Sequence, residues 1–293
     1  MTTTTNIAPI SQTLEVPGAT LTYDVRANAA SDQRPLLMIG SPMGAAGFKT
    51  LARHFTDRTV ITYDPRGVER SVKTDVTSPV DPDVHADDIH RVISAVGLGP
   101  VDLFASSGGA VNALALVARY PDDVTTLVAH EPPLAAVLPD SAAALAACRA
   151  VARTYQEKGF GAGMAHFIAV ASHEGEFDDG FATQPGPDPA MFGMPTDDDG
   201  DRTDPLMGQN MITCTHYEPD LHALEKAATG IVIAAGENSG QTMASRTAHA
   251  LAGQMGVAVR LFPGDHAGFL GGEYEQMGEP DTFAVALREV LSG

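Results

Sequence analysis

Two adjacent serines, Ser106 and Ser107, separate a short apolar run from a long one in VDLFASSGGAVNALALVARYP, residues Val101 to Pro121. A serine hydroxyl is a weak nucleophile near neutral pH and needs a base beside it. On a tight strand-to-helix turn it also needs small neighbours two places before and two places after, because strand and helix nearly touch there. Centred on Ser107, those neighbours are Ala105 and Gly109. Centred on Ser106, they are Phe104 and Gly108, and Phe104 would clash. The spacing selects Ser107.

Such a turn requires a buried strand before it and a helix after it, and the rest of the chain supplies that setting. LEVPGATLTYDVR reads as an antiparallel hairpin, and PLLMIG as a strand buried on both faces. TVITYDP, VDLFA, VTTLVAHEPP, GIVIAAG and VAVRLFPG read as further strands. VHADDIHRVISAVGL, AVNALALVARY, ASRTAHALAGQM and DTFAVALREVL read as helices. This alternation predicts βαβ units and a mostly parallel, doubly wound α/β sheet. The rhythm breaks between Leu134 and Cys214. There an Ala-rich helical segment, Ser141 to Lys158, leads into FGAGMAHFIAVAS and then a Gly/Pro/Asp-rich stretch. The expected organisation is a core of residues 1–133 and 215–293 with a helical cap at 134–214, above the carboxyl edge of the sheet where ligands bind.

With 293 residues, 44% of them hydrophobic, the chain can bury a sizeable core. Its net charge of −19 argues against nucleic acid and anionic membranes as partners. No stretch approaches the roughly 20 apolar residues of a membrane span. MTTTTNIAPI lacks a basic n-region and an apolar h-region, so no secretory signal is expected, and MTTTT reads as a loose tail. Cys148 and Cys214 form no CxxC and fit two buried thiols in a reducing cytoplasm. TDDDGDRTD lacks the acid spacing of a calcium loop, and no zinc or phosphate-loop pattern occurs. No cofactor or metal is expected. A homo-oligomer is compatible with the sequence.

Five motifs appear in order: GSPMG after the third strand, YDPRGVERS after the fourth, ASSGG at the turn, HEPP after the sixth, and PGDHAGF near the C-terminus. Together they resemble the α/β-hydrolase fold family over nearly the whole length, with Ala105 replacing a usual glycine. The resemblance implies a serine hydrolase with Ser107 as nucleophile and His266, in PGDHAGF, as base. Five other histidines, His130, His166, His173, His216 and His222, have no such motif context.

The acid departs from the family pattern. Its usual slot, after the seventh strand, holds Ser239 in GENSG, with Glu237 directly after Gly236. Glu131 ends the strand expected beside the nucleophile strand, 24 residues after Ser107. That place resembles the zearalenone lactonases, which carry their acid after the sixth strand. Glu131 is the preferred acid and Glu237 the alternative. The resemblance also implies two backbone N–H donors for a developing oxyanion, each worth about 3–4 kcal/mol elsewhere. One is that of Gly108. The usual His-Gly-x-Pro loop reads Ile39-Gly40-Ser41-Pro42 without its histidine, and supplies the N–H of Ser41 or, alternatively, Met43. The Ser41–Pro42 bond is expected to be cis. In YDPRG, Asp64 and Arg66 are expected to be structural. Met164, Met191, Met194, Met207 and Met211 either line an apolar pocket or belong to ordinary core.

The expected activity is cleavage of an uncharged small-molecule ester or lactone through an acyl-enzyme. The alternatives are a non-hydrolytic or C–C-cleaving enzyme of the same fold (a cofactor-free oxygenase, a haloperoxidase-like enzyme or a lyase) and a ligand-binding receptor.

Overall fold

The computed structural model describes residues 8–75 and 78–293, so the MTTTT run lies outside the described residues. One sheet is built from β1 (Ile10–Val16), β2 (Ala19–Arg26), β3 (Leu36–Ile39), β4 (Val60–Asp64), β5 (Val101–Ser106), β6 (Val124–His130), β7 (Gly230–Gly236) and β8 (Arg260–Phe262). Their order across the sheet is β1-β2-β4-β3-β5-β6-β7-β8, and a two-residue strand, Val72–Lys73, also pairs with β2. The β1–β2 and β2–β4 pairings are antiparallel; every pairing from β4 to β8 is parallel.

The apolar run of β3, LLMI, and the apolar centre of β5 follow from burial on both faces. Alternate side chains of a strand point to opposite sides. Leu37, Ile39, Leu103 and Ala105 therefore enter one apolar cluster, and Leu36, Met38 and Phe104 enter another. Helices α1 (Pro82–Val96), α2 (Gly108–Arg119) and, in part, α5 (Met243–Met255) cover the first face. The short helix Lys49–Arg53 and α6 (Pro280–Leu291) cover the second. Local signals set the boundaries of α1: the Asp81 side chain accepts the Val84 N–H, Pro82 opens the first turn, and Gly97 ends it with φ 68°.

Between β6 and β7 the described chain forms no strand. Helix α3 (Ser141–Ala171) runs further than the Ser141–Lys158 segment read from the sequence. Gly159, with φ 85° and ψ −175°, breaks it into two helices end to end, so the following FGAGMAHFIAVAS continues it after a kink. An irregular stretch follows with two short 3₁₀ turns, then a π-helical turn, Leu206–Asn210, then Met211–Thr213 and α4 (Leu221–Lys226). The last of these was not foreseen. This region has its own apolar cluster, including Leu138, Ala144, Val151, Tyr155, Met207 and Met211.

Asp64 and Arg66 have structural partners. Asp64 accepts the Ala45 N–H and the Arg70 guanidinium, and Arg66 forms a two-pronged buried pair with Asp88 at 2.7 Å. Within the acidic TDDDGDRTD stretch, Asp198 pairs with Arg202. Among the described residues no helix is long and apolar enough to cross a membrane.

Candidate active site

The carboxyl ends of β3, β5, β6, β7 and β8 meet at one edge of the sheet. Ser107 stands in the turn from β5 into α2 with φ 57° and ψ −129°, a left-handed conformation that costs a non-glycine residue about 1–3 kcal/mol. A serine at a helix N-cap ordinarily spends its hydroxyl on a first-turn N–H. In this turn it makes no such bond, and among the described residues the Ser107 hydroxyl has no hydrogen-bond partner. The two glycines after it are required by close approach. A Cβ at position 108 would lie 2.5 Å from the Ser41 carbonyl oxygen, and one at 109 would lie 2.8 Å from Gly40 Cα and the Ile39 oxygen.

Glu131 follows β6 in a second left-handed turn, φ 48°, and is fully buried. Its Oε2 accepts from His266 Nδ1 at 2.6 Å, and its Oε1 accepts the Gly236 N–H at 2.9 Å. Burial pushes the Glu131 carboxyl up. The hydrogen bond from His266, the nearby His130 and the adjacent Ser239 outweigh burial and bring it down to about 2. Ser239, in the family's usual acid slot, is buried close enough to favour that charge, although its hydroxyl is outside hydrogen-bonding geometry. Glu237 is elsewhere: its side chain is exposed, outside the cavity lining, and without a hydrogen bond among the described residues. Of the two carboxylates read from the sequence, the fold brings only Glu131 to His266.

A second serine–histidine pair lies one residue back. Ser106 and His130 are register partners on β5 and β6, with Ser106 Oγ 3.4 Å from His130 Nδ1. The His130 carbonyl also accepts the Ser107 N–H at 2.9 Å. The imidazole is fully buried among Phe104, Phe262, Phe269 and Phe283, 6.1 Å from the His266 ring between centroids. Burial pushes it down to about 4, so it is neutral near pH 7. The sequence set His130 aside because HEPP, which it opens, is not the context in which the resemblance places the catalytic histidine. The strand register was the signal, and that is a pairing between distant segments. His166, His173, His216 and His222 do not line the cavity.

The Ser41–Pro42 peptide is cis, as the resemblance implied. The N–H groups of Ser41, Met43 and Gly108 donate to no described acceptor. A cavity of about 800 Å³ opens over these groups. Ser107, Gly108, Ser41, Met43 and His266 line it, with an apolar wall that includes Met164, Phe167, Leu206, Met211, Met243 and Phe269. Of the five methionines read from the sequence, Met164 and Met211 face the cavity and Met207 is buried core. Met191 and Met194 do neither. The carboxylates Glu69, Glu174 and Asp265 join His266 in the lining, which includes no lysine or arginine. Asn210, buried in the π-helical turn, donates from Nδ2 to Ser41 Oγ at 2.8 Å. Nothing local in GQNMITC marks that residue.

Strand order, strained serine turn and paired glutamate–histidine define a class, and comparison with known proteins agrees. A family model described as the alpha/beta hydrolase fold matches residues 37–179. The hydrolase YraK of Bacillus subtilis is 38% identical over 127 residues, 43% of this chain and 46% of that protein. The matched segment thus spans less than half of that relative. A hydrolase from Pseudomonas aeruginosa PA01 superposes with a TM-score of 0.66 at 17% identity, covering 97% of this chain and 98% of that one. A thermophilic esterase from Thermogutta terrifontis gives 0.64 at 19% identity, covering 97% and 98%. At those identities the two structures speak for the fold alone. The chain has the α/β-hydrolase fold.

Proposed function

We propose that the protein is a serine hydrolase that cleaves a carboxylic ester or lactone through an acyl-enzyme. The observation that carries this reading is the buried Glu131–His266 pair at 2.6 Å, with His266 and an uncommitted Ser107 hydroxyl facing one cavity. Glu131 fixes the imidazole by accepting from Nδ1, which leaves Nε2 to act as base. Ser107 Oγ attacks the carbonyl carbon while Nε2 takes its proton, and the oxyanion forms near the N–H groups of Gly108 and Ser41. Collapse breaks the carbonyl–oxygen bond, and His266 returns the proton to the leaving alkoxide. Water activated by the same imidazole then releases the acid and restores Ser107. Every proton passes through His266, so no further group is required.

The cavity wall supports the substrate class. Apolar side chains favour an uncharged acyl or alcohol part. Three carboxylates without a facing cation disfavour a substrate bearing its own carboxylate or phosphate. The residues from 134 to 214 act as a cap, since Met164, Phe167, Leu206 and Met211 supply one wall of the cavity. Two buried free thiols, Cys148 and Cys214, fit a reducing, cytoplasmic compartment.

The test is a fluorophosphonate probe followed by peptide mass spectrometry, with a graded series of p-nitrophenyl esters and lactones. The expected result is covalent labelling at Ser107 and hydrolysis of uncharged substrates. No labelling and no turnover would favour a lyase, an oxygenase or a receptor on the same fold.

A further inference from the structure

The candidate oxyanion site is touched on both sides by the inserted region. Ser41 is only 4% exposed and holds the Asn210 amide on its hydroxyl. Asn210 is 5% exposed and closes a π-helical turn, Leu206–Asn210. Four residues on, Cys214 donates its N–H to the Asn210 carbonyl at 3.0 Å. Its sulfur lies 3.2 Å from where a Cβ on Gly108 would be. One turn of the insertion thus rests on Ser41 through a side-chain hydrogen bond and on Gly108 through packing. In the serine-hydrolase reading these two residues supply the N–H donors for the oxyanion, with Met43 as the alternative to Ser41. On the core side the Ile39 side chain is buried in the apolar cluster and can donate no hydrogen bond to Ser41. Pro42 has no N–H with which to anchor the loop.

We infer that Asn210 is a positioning residue: it reaches from the insertion to the Ser41 hydroxyl and sets the direction of the Ser41 N–H, so that the oxyanion site is complete only when the Leu206–Cys214 turn is seated on the core. This rests on the serine-hydrolase reading above. A π-helical turn projects one residue out of helical register, which suits such a contact. Misplacing a stabilising group by about 1 Å can cost about 10²-fold in rate while substrate binding is kept. The signature is therefore a loss in kcat, and it must pass through Ser41.

The experiment is a double-mutant cycle of Asn210→Ala and Ser41→Ala on a p-nitrophenyl ester, with circular dichroism on every variant. Ser41→Ala keeps the backbone N–H and removes only the acceptor. Expected are falls in kcat of about 10- to 100-fold in each single variant, KM within about threefold of wild type, and no further fall in the double variant. Losses that multiply in the double variant overturn the inference, as does a loss confined to KM or wild-type kcat in either single variant. Should Asn210→Ala fail to fold, Ser41→Ala carries the test alone: wild-type kcat in that variant overturns it. A wild-type protein that neither labels at Ser107 nor cleaves esters overturns the serine-hydrolase reading and this inference with it. Ordinary wild-type turnover with unaffected variants overturns only the inference.

Discussion

Ser107 and His266, which line one cavity, and Ser106 and His130, which are register partners on adjacent strands, combine the same residue types in different surroundings. His266 is 45% exposed in its side chain and is held by a buried carboxylate at 2.6 Å. His130 is buried in a cage of phenylalanines, with Nε2 unpartnered and no carboxylate on its ring. Ser107 sits in a strained turn with a free hydroxyl, whereas Ser106 ends a regular strand and meets Nδ1 of its histidine. A base must take up a proton during the reaction. Desolvation opposes that at His130, whereas the His266 ring is part-exposed and hydrogen-bonded to a carboxylate. The same residue types thus acquire opposite aptitudes, and what separates them is solvent access and one carboxylate.

The largest expected break in this comparison is Ser107→Ala. It removes the nucleophile where a small side chain fits, so ester turnover should fall by at least about 10⁴-fold with folding intact, read from steady-state kinetics and circular dichroism. Glu131→Gln keeps the shape of the pair and removes its charge. A fall of the order of 10⁴ in kcat is expected, since a comparable change in a serine protease cost that much. Glu237→Gln, measured in parallel, should stay within about tenfold. A collapse in Glu237→Gln beside wild-type kcat in Glu131→Gln would reassign the acid to the turn after β7.

Ser106→Ala tests the other side and should retain turnover within about tenfold. Kinetics reversed between the two serine variants would show that the wrong one was taken as nucleophile.

The smallest effect concerns stability rather than rate. His130 is held down to about 4 from an ordinary 6.5. Between those values the unfolded chain binds the proton first, so stability is complete above pH 6.5 and declines as pH falls through 4. His130→Phe should flatten the fall in the denaturant midpoint over that window. Some slope should remain, because buried His85 is also pushed down, to about 3. Glu131 contributes in a lower window. Its carboxyl sits at about 2 against 4.5, so its share is complete above pH 4.5 and is lost as pH falls through 2. Glu131→Gln should lack that decline.

The sequence by itself determined the features that local sterics encode. Small residues at 105 and 109 mark Ser107, because the requirement runs two residues either way along the chain. Apolar runs and helical spacing gave the strand order's raw material, and the PGDHAGF motif marked His266. Tertiary structure decided the rest. Glu131 and Glu237 both end strands, and nothing within either segment says which carboxylate reaches a ring 135 residues from Glu131. The parallel register of β6 with β7, which sets His130 against Ala234, turns Glu131 inward to accept from Gly236 and His266. His130 acquired its place from the pairing of β5 with β6, and Asn210 from a contact 169 residues away in sequence. Local sterics are written in adjacent residues. Which polar groups share a buried space depends on how distant segments pack, and a hydrogen bond between them leaves no trace in either segment alone.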